Sequence, residues 1–467
     1  MSLTFGLIVG NRGFFPDKLA ISGREEVIKA IQEEGFSVVC PSPDVTRYGV
    51  VETLEDAKKC AKLFKENKDK IDGIIVTLPN FGDEKAIANT IRLSELYVPV
   101  LVHAFPDKLS ALDLPNRGDS FCGKISVCNN LNQYGISFSL TRFHTVSPQD
   151  KTFREDLKWF AGVCRVVKGF KNVRVGAIGA RPTAFNTVRF SEKILEAQNI
   201  SVETIDLSEV FSRMDKISGD DPALKEKINE IKSYCDTTKI PSDKIEKMAR
   251  FGLVVERWVK ENELVATAVQ CWTSIQENMG IMPCTIMSMM SEKLLPSACE
   301  VDITGALSMY ALQLASGSPS AIVDWNNNFG DDPERAVIFH CSNYPKSFFR
   351  KVEMGYGDVI ATSVGKENAY GSLTGKIKKG PLTYARLTTD DFTGTVRAYV
   401  GEGEIVEEEA DTFGGSGVVH VPRLQELLQF ICKEGFEHHV AVNLSHVASI
   451  LYEAFAEYLG IETYWHR

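Results

Sequence analysis

Short apolar runs alternate with amphipathic helical patterns along the first two thirds of the chain, and this alternation constrains the fold more than any other feature. Apolar runs at residues 3–10, 73–78 and 98–103 are separated by helical patterns such as those at 52–67 and 84–96. Short buried strands that alternate with helices are typical of parallel β-α-β units with helices on both faces. The sequence therefore predicts a doubly wound, Rossmann-like α/β domain over residues 1–150.

The same alternation resumes after a long helical pattern at residues 152–167. Strands are predicted at 173–178, 202–207 and 264–269, and helices at 188–197, 224–234 and 243–262. We interpret residues 151–325 as a second doubly wound α/β domain.

The pattern changes in the last third of the chain. Short β-rich runs, such as residues 396–400, are separated by glycine-rich turns, which favour an antiparallel sheet or a small barrel. Helical patterns at 424–434 and 447–459 close the chain. Residues 326–467 are therefore predicted to form a β-rich, barrel-like C-terminal domain with closing helices.

Composition excludes several classes of function. The 467 residues include 52 Lys and Arg against 62 Asp and Glu, a net charge of −10, which argues against a nucleic-acid or anionic-membrane binder. No apolar stretch reaches the roughly 18 residues of a membrane span, and no basic segment precedes the first apolar run. We expect a cytoplasmic protein.

The eleven cysteines are scattered without a close-paired framework, which favours free thiols in a reducing compartment over disulfides. The sequence contains no C-x-x-C motif, so the spacing of the cysteines does not indicate a zinc site. Cys271, Cys284 and Cys299 fall in apolar surroundings that suit small core residues.

Two acidic residues end apolar runs on either side of a helical pattern at residues 304–315. These are Glu300 and Asp324. In a right-handed β-α-β unit the two strands would run parallel and side by side, which would bring both carboxylates to one edge of the sheet. Carboxylates so close repel each other unless a cation or a shared proton intervenes, so a divalent metal ion is the expected partner. The alternative is that each acid caps a helix or loop, as we expect for Asp302 at the start of this helix.

Three of the eight histidines lie within nine positions, at His438, His439 and His446. A strand predicted at residues 440–444 places the first two at its entry and the third at the start of the last helix. One imidazole added to two carboxylates gives an N,O,O ligand set that favours Mn²⁺ or Mg²⁺ over thiolate-type zinc binding. Spacing alone leaves a structural role open for each of them. Arg12, after the first strand, is either a ligand contact or part of a surface turn.

Several motifs together resemble the L-fucose isomerase and L-arabinose isomerase superfamily. They are Cys271-Trp272, Pro283-Cys284, Ala298-Cys299-Glu300-Val301-Asp302, Ile322-Val323-Asp324, and His438-His439 with His446 seven residues after His439. The separation of 24 residues between Glu300 and Asp324 also matches this family. The resemblance covers the second half of the chain well, and the first half mainly through its α/β layout and Arg12.

The resemblance implies a metal centre and an acid/base pair. Glu300, Asp324 and His439 would be the ligands of Mn²⁺, or of another divalent cation such as Mg²⁺ or Co²⁺, and the two carboxylates would also be the catalytic acid and base. Trp272, His446 and Arg12 would contact substrate or orient the site. The family further implies a homo-oligomer, a trimer or hexamer, with active sites near subunit interfaces and a neighbour's N-terminal domain over each site.

The expected function is a Mn²⁺-dependent aldose–ketose isomerase that acts on an open-chain pentose or hexose. The substrate would be similar to L-fucose or D-arabinose, or would be a modified sugar whose acidic group meets Arg12 or Arg181. The alternatives are a non-catalytic sugar-binding or sensing protein and a metal-dependent lyase or hydrolase that uses the same centre.

Overall fold

A computed structural model of the chain describes residues 3–341 and 343–467. The described chain forms two compact units, one made of the residues up to Lys168 with Glu453–Gly460 and the other of Gly169–Tyr452 with Ile461–Arg467. None of the described helices combines the length and the apolar composition needed to cross a lipid bilayer.

The first unit is built on a parallel sheet. Its strands are β1 (Thr4–Val9), β2 (Ser37–Val39), β3 (Ile71–Leu78), β4 (Val100–Ala104) and β5 (Ser139–Leu140), and its helices are α1 (Asp17–Glu33), α2 (Leu54–Glu66), α3 (Glu84–Ser94), α4 (Ser120–Gln133) and α5 (Lys151–Gly169). Within the described residues the strands pair in the order β2-β1-β3-β4-β5, all parallel. This is the order of a doubly wound sheet. Every residue of β3 and β4 is buried, because helices cover both faces.

The second unit begins with a smaller parallel sheet. Its strands are β6 (Val173–Ile178), β7 (Ile200–Ile205), β8 (Ala266–Val269) and β9 (Ser297–Ala298), and its helices are α6 (Glu192–Ala197), α7 (Leu207–Asp215), α8 (Pro222–Tyr234), α9 (Ser242–Glu261), α10 (Ser274–Met279), α11 (Cys284–Glu292) and α12 (Ile303–Ser316). In the described part of the chain these strands pair in the order β7-β6-β8-β9. The prediction of parallel strands here is confirmed.

A large mixed sheet completes the second unit. Its strands are β10 (Ser320–Asn328), β11 (Arg335–His340), β12 (Glu353–Tyr356), β13 (Tyr370–Lys376), β14 (Gly380–Asp390), β15 (Thr395–Ile405), β16 (Gly415–His420), β17 (His439–Asn443) and β18 (Glu462–His466), with helices α13 (Asp358–Val364), α14 (Leu424–Glu434) and α15 (Ala448–Glu453). Among the described residues the order is β12-β13-β16-β11-β10-β17-β14-β15-β18, and an added pairing of β15 with β16 closes an antiparallel ring. The β-rich character predicted for this region is confirmed, while its separation as a domain of its own stays a prediction.

The prediction that the strands before Glu300 and Asp324 lie side by side in one parallel sheet is wrong. β9 pairs with β8 in the small sheet, whereas β10 pairs antiparallel with β11 and β17 in the large one. The helix α12, buried along most of its length, connects the two sheets. A run of four apolar residues suits either kind of strand, and the β17 partner lies more than a hundred residues downstream, so periodicity alone does not reveal the sheet.

Candidate metal centre and active site

Glu300, Asp324 and His439 meet at one imidazole nitrogen although they come from three separate segments. Asp324 on β10 and His439 on β17 are directly opposite each other in the sheet, and His439 Nε2 lies 3.5 Å from Asp324 Oδ1. Glu300, two residues beyond β9, places its Oε2 atom 3.4 Å from the same nitrogen. The antiparallel pairing, rather than a shared parallel edge, therefore brings the two carboxylates to one place.

The buried oxygens at this point fit a divalent cation. Among the described residues, Glu300 Oε2 and Asp324 Oδ1 are buried and have no hydrogen-bond partner. A buried carboxylate oxygen without a donor is costly, and a cation between the two would offset that cost. Two overlapping groups share His439, one with Glu300 and His340 and the other with Asp324 and His438, and in each the ligand atoms lie within 4.8 Å of one another. Nitrogen and oxygen donors suit Mn²⁺, Mg²⁺ or Co²⁺.

The orientation of His439 is set by Asp302. Its Nδ1 atom lies 2.9 Å from Asp302 Oδ2, so the ring donates its Nδ1 proton there and turns the Nε2 lone pair toward the carboxylates. Burial alone would lower the pKa of His439, but the hydrogen bond to Asp302 and the charges of Glu300, Asp302 and Asp324 raise it above its usual range. The imidazole is therefore both oriented and made more basic by its neighbours.

Asp302 is in turn held by a fully buried arginine. Arg386 of β14 donates from Nη1 and Nη2 to the two Asp302 oxygens, at 2.5 and 2.9 Å, and from Nε to Glu437 at 3.0 Å. Burial opposes the ionisation of Asp302, but Arg386 and His439 hold its pKa below the usual range. Asp302 also caps α12 through the Gly305 N–H at 2.8 Å, so the predicted capping role is confirmed. A side chain at position 305 would collide with the Asp302 and Arg386 side chains, which explains the glycine.

The backbone at Glu300 is strained. Glu300 and Val301 have φ angles of 54° and 56°, a left-handed conformation that costs on the order of 1–3 kcal/mol per residue and is least favourable for a β-branched side chain. The turn is held by hydrogen bonds from Val301 N to Val269 O and from Asp302 N to Cys299 O. It ends β9 and carries the Glu300 carboxylate to His439.

Trp272 lies at the site, as the resemblance implied. Its Nε1–H donates to Glu300 Oε1 at 3.2 Å, and its ring lies 5.8 Å from that of Phe185, centroid to centroid. The side chains of Asp324 and His438 are 21% and 46% exposed, whereas that of Glu300 is buried. Solvent therefore reaches the site from the side on which Asp324 and His438 lie.

Of the other predicted substrate contacts, His446 lies in the same unit as this cluster but away from it. His446 Nε2 lies 3.2 Å from Gly403 O, beyond the far end of β17. Arg12 belongs to the first unit, where its guanidinium lies over the Phe81 ring, 4.3 Å from the centroid, and pairs with Glu84. For His446 the described structure records no contact with Glu300, Asp324 or His439, and the substrate contact of Arg12 stays a prediction.

Sequence reasoning missed two residues of this site. His340, at the end of β11, is buried and lies 3.8 Å from Glu300 Oε2. Arg386 holds the residue that orients His439. For Arg386 the available signal was a charged residue inside the otherwise apolar and β-branched pattern of residues 382–389. Nothing local marked His340.

Comparison with known proteins identifies the family. The N-terminal domain of fucose/sulfoquinovose isomerases matches residues 6–171, and the C-terminal domain of L-fucose isomerase matches residues 338–466. The chain belongs to the fucose isomerase superfamily. These families are sugar isomerases, so the chain is an enzyme of the aldose–ketose isomerase class. His340 and His439 lie inside the matched C-terminal segment, and Glu300 and Asp324 lie between the two matches.

Related proteins align with most of the chain at low identity. A sulfoquinovose isomerase of Priestia aryabhattai is 22% identical over 461 residues, which cover 97% of this chain and 96% of the relative. Proteins with the same name from Alkalicoccus urumqiensis and Clostridium sp. (strain MSTE9) are 24% and 23% identical. Their alignments cover 63% and 74% of this chain and 66% and 76% of those proteins.

Proposed function

We propose that this isomerase depends on a divalent metal ion held by Glu300, Asp324 and His439. The observation that carries the proposal is the pair of buried carboxylate oxygens that lack a hydrogen-bond donor and converge with His439 Nε2. A buried pair of this kind is stable only with positive charge beside it. Manganese is the first candidate, because the donor set is nitrogen and oxygen without sulfur.

The carboxylates would also perform the proton transfers. When bound, the ion would supply Lewis-acid stabilisation for the negative charge that develops on the sugar oxygens. One of Glu300 and Asp324 removes the proton on carbon 2 and returns it to carbon 1, and the other moves a proton between the two oxygens. Trp272 holds the Glu300 carboxylate through its indole N–H, and Asp302 keeps His439 turned toward the carboxylates.

The substrate is proposed to be an open-chain hexose or pentose. The relatives that align with most of this chain are named for sulfoquinovose, so this sulfonated sugar stands first in a substrate panel. L-Fucose and D-arabinose follow, because the C-terminal match is to L-fucose isomerase. Arg181, half-buried in the second unit, is a candidate partner for an acidic group on the sugar.

Sugar turnover followed by NMR in D₂O tests the proposal. The metal-free protein should be inactive, and added Mn²⁺, Mg²⁺ or Co²⁺ should restore conversion of at least one panel sugar, with deuterium entering carbon 1 or carbon 2. Turnover without deuterium would indicate a hydride shift on the same ligands. Glu300→Gln should lower kcat by at least a thousandfold, whereas Glu226→Gln, an exposed change on α8, should have no effect.

Three results would contradict the proposal. Full activity after metal removal would exclude the metal role. Sugar binding without turnover would support a sensing protein, and cleavage products would support a lyase or hydrolase.

We further propose that the protein is a homo-oligomer. Several large apolar side chains of the first unit are exposed to solvent, in loops and in the first turns of α4. They are Phe14 after β1, Leu109 and Leu114 after β4, and Phe121 and Ile125 on α4. Phe14, Leu109 and Leu114 are 76%, 90% and 80% exposed. Side chains of this size in one region are typical of a protein–protein contact surface, and a second copy of this chain is the proposed partner.

A further inference from the structure

A cavity of about 340 Å³ lies in the first unit, at the edge of the parallel sheet where β4 and β5 begin. Its walls include the start of β4, the connection between α3 and β4 (residues 94–98) and the segment between α4 and β5 (residues 134–137). The volume is within the range of about 300–1,000 Å³ that small-molecule sites occupy. Ligands of doubly wound sheets bind at the opposite, carboxyl edge, so the usual site of this fold does not account for the cavity.

The buried side of the cavity is apolar, and the polar side chains that reach it are already paired. The Tyr458 hydroxyl is hydrogen-bonded to the Ser139 hydroxyl at 2.8 Å and to Val100 O at 3.2 Å. Ser94 donates to Ile91 O at 2.7 Å. A sugar would leave its hydroxyls without partners on this side, so the lining favours a hydrocarbon group instead. The apolar lining includes Ile74, Ile91, Leu96, Val98, Val100 and Ile136.

An arginine lies on the exposed side of the cavity. The guanidinium of Arg92, in the last turn of α3, lies 5.5 Å from the centroid of the Tyr134 ring. The polar and ring contacts that the described structure gives Arg92 are this ring and Asn89 Oδ1, at 3.1 Å, and both partners are uncharged. Glu95, which also lines the cavity, is paired with Lys65 at 3.0 Å. The positive charge of Arg92 is therefore available to an anion that enters the cavity.

The wall between α3 and β4 has a strained backbone. Glu95 and Tyr97 have φ angles of 54° and 49°, left-handed values that are unfavourable for residues other than glycine. Tyr97 lines the cavity although it is 85% exposed, so the strained segment keeps a large aromatic ring at the rim instead of burying it. Strain of this kind persists where the surrounding structure imposes it, and it is concentrated at functional sites such as ligand clamps.

We propose that this cavity binds a small carboxylate with an apolar body, such as an aryl-substituted alkanoate. The hydrocarbon fills the apolar side, between Ile74 and Ile136, and the carboxylate accepts hydrogen bonds from the guanidinium of Arg92, whose planar geometry it matches. Tyr97 and Tyr134 flank the ligand at the opening. The site is separate from the proposed isomerisation, because its residues belong to the first unit and the proposed metal ligands belong to the second.

Titration of 3-phenylpropionate into the intact protein, followed by saturation-transfer NMR, tests the charge at this site. Binding should be saturable. The uncharged 3-phenylpropionamide, which has nearly the same size, should bind about tenfold more weakly or worse, because it cannot form the charged pair. Arg92→Gln should weaken binding of the acid by the same factor and leave binding of the amide unchanged. Arg142→Gln, at another exposed arginine of the first unit, should change neither.

A second variant tests the cavity itself. Ser137→Trp places a large side chain at an exposed position of the lining, and it should abolish binding of both compounds while the charge of Arg92 remains. Removal of divalent metal ions with a chelator should leave binding unchanged, since the proposed metal centre is not part of this site.

Several outcomes would overturn the proposal. They are the absence of saturable binding, equal affinities for acid and amide, unaltered binding in Arg92→Gln or Ser137→Trp, and loss of binding on chelation. A fall in the mass of the protein when the acid is added, measured by light scattering, would show that a second copy of the chain occupies the cavity and would overturn the proposal too. Binding is measured without sugar turnover, so failure of this proposal and failure of the proposed function are distinguishable.

Discussion

His439 shows how the candidate site depends on single side chains that touch no substrate. Its Nε2 atom faces Glu300 and Asp324 only because its Nδ1 atom is bound to Asp302, and Asp302 keeps its charge only because Arg386 is beside it. Outer partners of metal-binding histidines contribute substantially to metal affinity. Asp302 is therefore a positioning residue whose effect should be measurable apart from its helix cap.

Asp302→Asn should weaken Mn²⁺ binding by about 10–100-fold while the fold is kept, because the amide still caps α12 but no longer holds the imidazole as a charged acceptor. Isothermal titration calorimetry of the metal-free protein measures this change. Asp206→Asn is the matched control, since Asp206 caps α7 through Ser208 N in the same way. Equal metal affinities in the two variants would show that Asp302 acts only as a cap.

His439→Ala should weaken metal binding far more than His446→Ala does. The first removes the nitrogen at which both carboxylates meet, whereas the second removes only a contact to Gly403 O. Titration of Mn²⁺ into the two metal-free variants measures which substitution weakens metal binding more. The reverse order would overturn the ligand assignment.

At the scale of elements, α4 carries a buried lysine that links the helix to the loop after β5. Lys124 Nζ donates to Thr141 Oγ1 at 2.7 Å and to His144 O at 3.0 Å. Burial lowers the pKa of Lys124 to about 8. The charged form is thus less favourable in the folded chain than in the unfolded one, where a lysine titrates near pH 10.4.

The sign of the resulting pH effect follows from proton counting. Between about pH 8 and 10.4 the unfolded chain binds more protons at this site, so the contribution of Lys124 to the free energy of unfolding rises with pH, by up to about 3 kcal/mol. Lys124→Met should remove this rise, as seen in urea unfolding at pH 7.5, 9 and 10.5. Lys151→Met, at an exposed position on α5, should keep it. Parallel pH curves for the two variants would contradict the buried-lysine account.

At the scale of the whole molecule, the apolar loops of the first unit are the feature that a single chain does not explain. Leu109→Asp with Leu114→Asp should reduce the oligomer to smaller species, because the charges would have to be buried at the proposed contact between copies. Light scattering coupled to size exclusion measures the mass. Phe392→Asp, at a fully exposed turn of the β14–β15 hairpin, is the control. An unchanged mass in the double variant, or a monomeric unmodified protein, would contradict the proposal.

The sequence by itself determined the alternation of strands and helices and the residue types of the site. Local periodicity is enough for that, since buried strands and amphipathic helices leave patterns within a few residues of each other. Strands such as Val173–Ile178 and helices such as Leu424–Glu434 lie where the pattern places them. The motifs around Glu300 and Asp324 also indicated the family.

Only the tertiary structure decided how these residues meet. Asp324 and His439 are cross-strand neighbours more than a hundred residues apart, and Arg386 reaches Asp302 from a third strand. Such pairings are fixed by burial and by charge compensation between distant segments, which no local pattern records. The same reason separates His446 from the site: sequence spacing sets the candidates, and packing chooses among them.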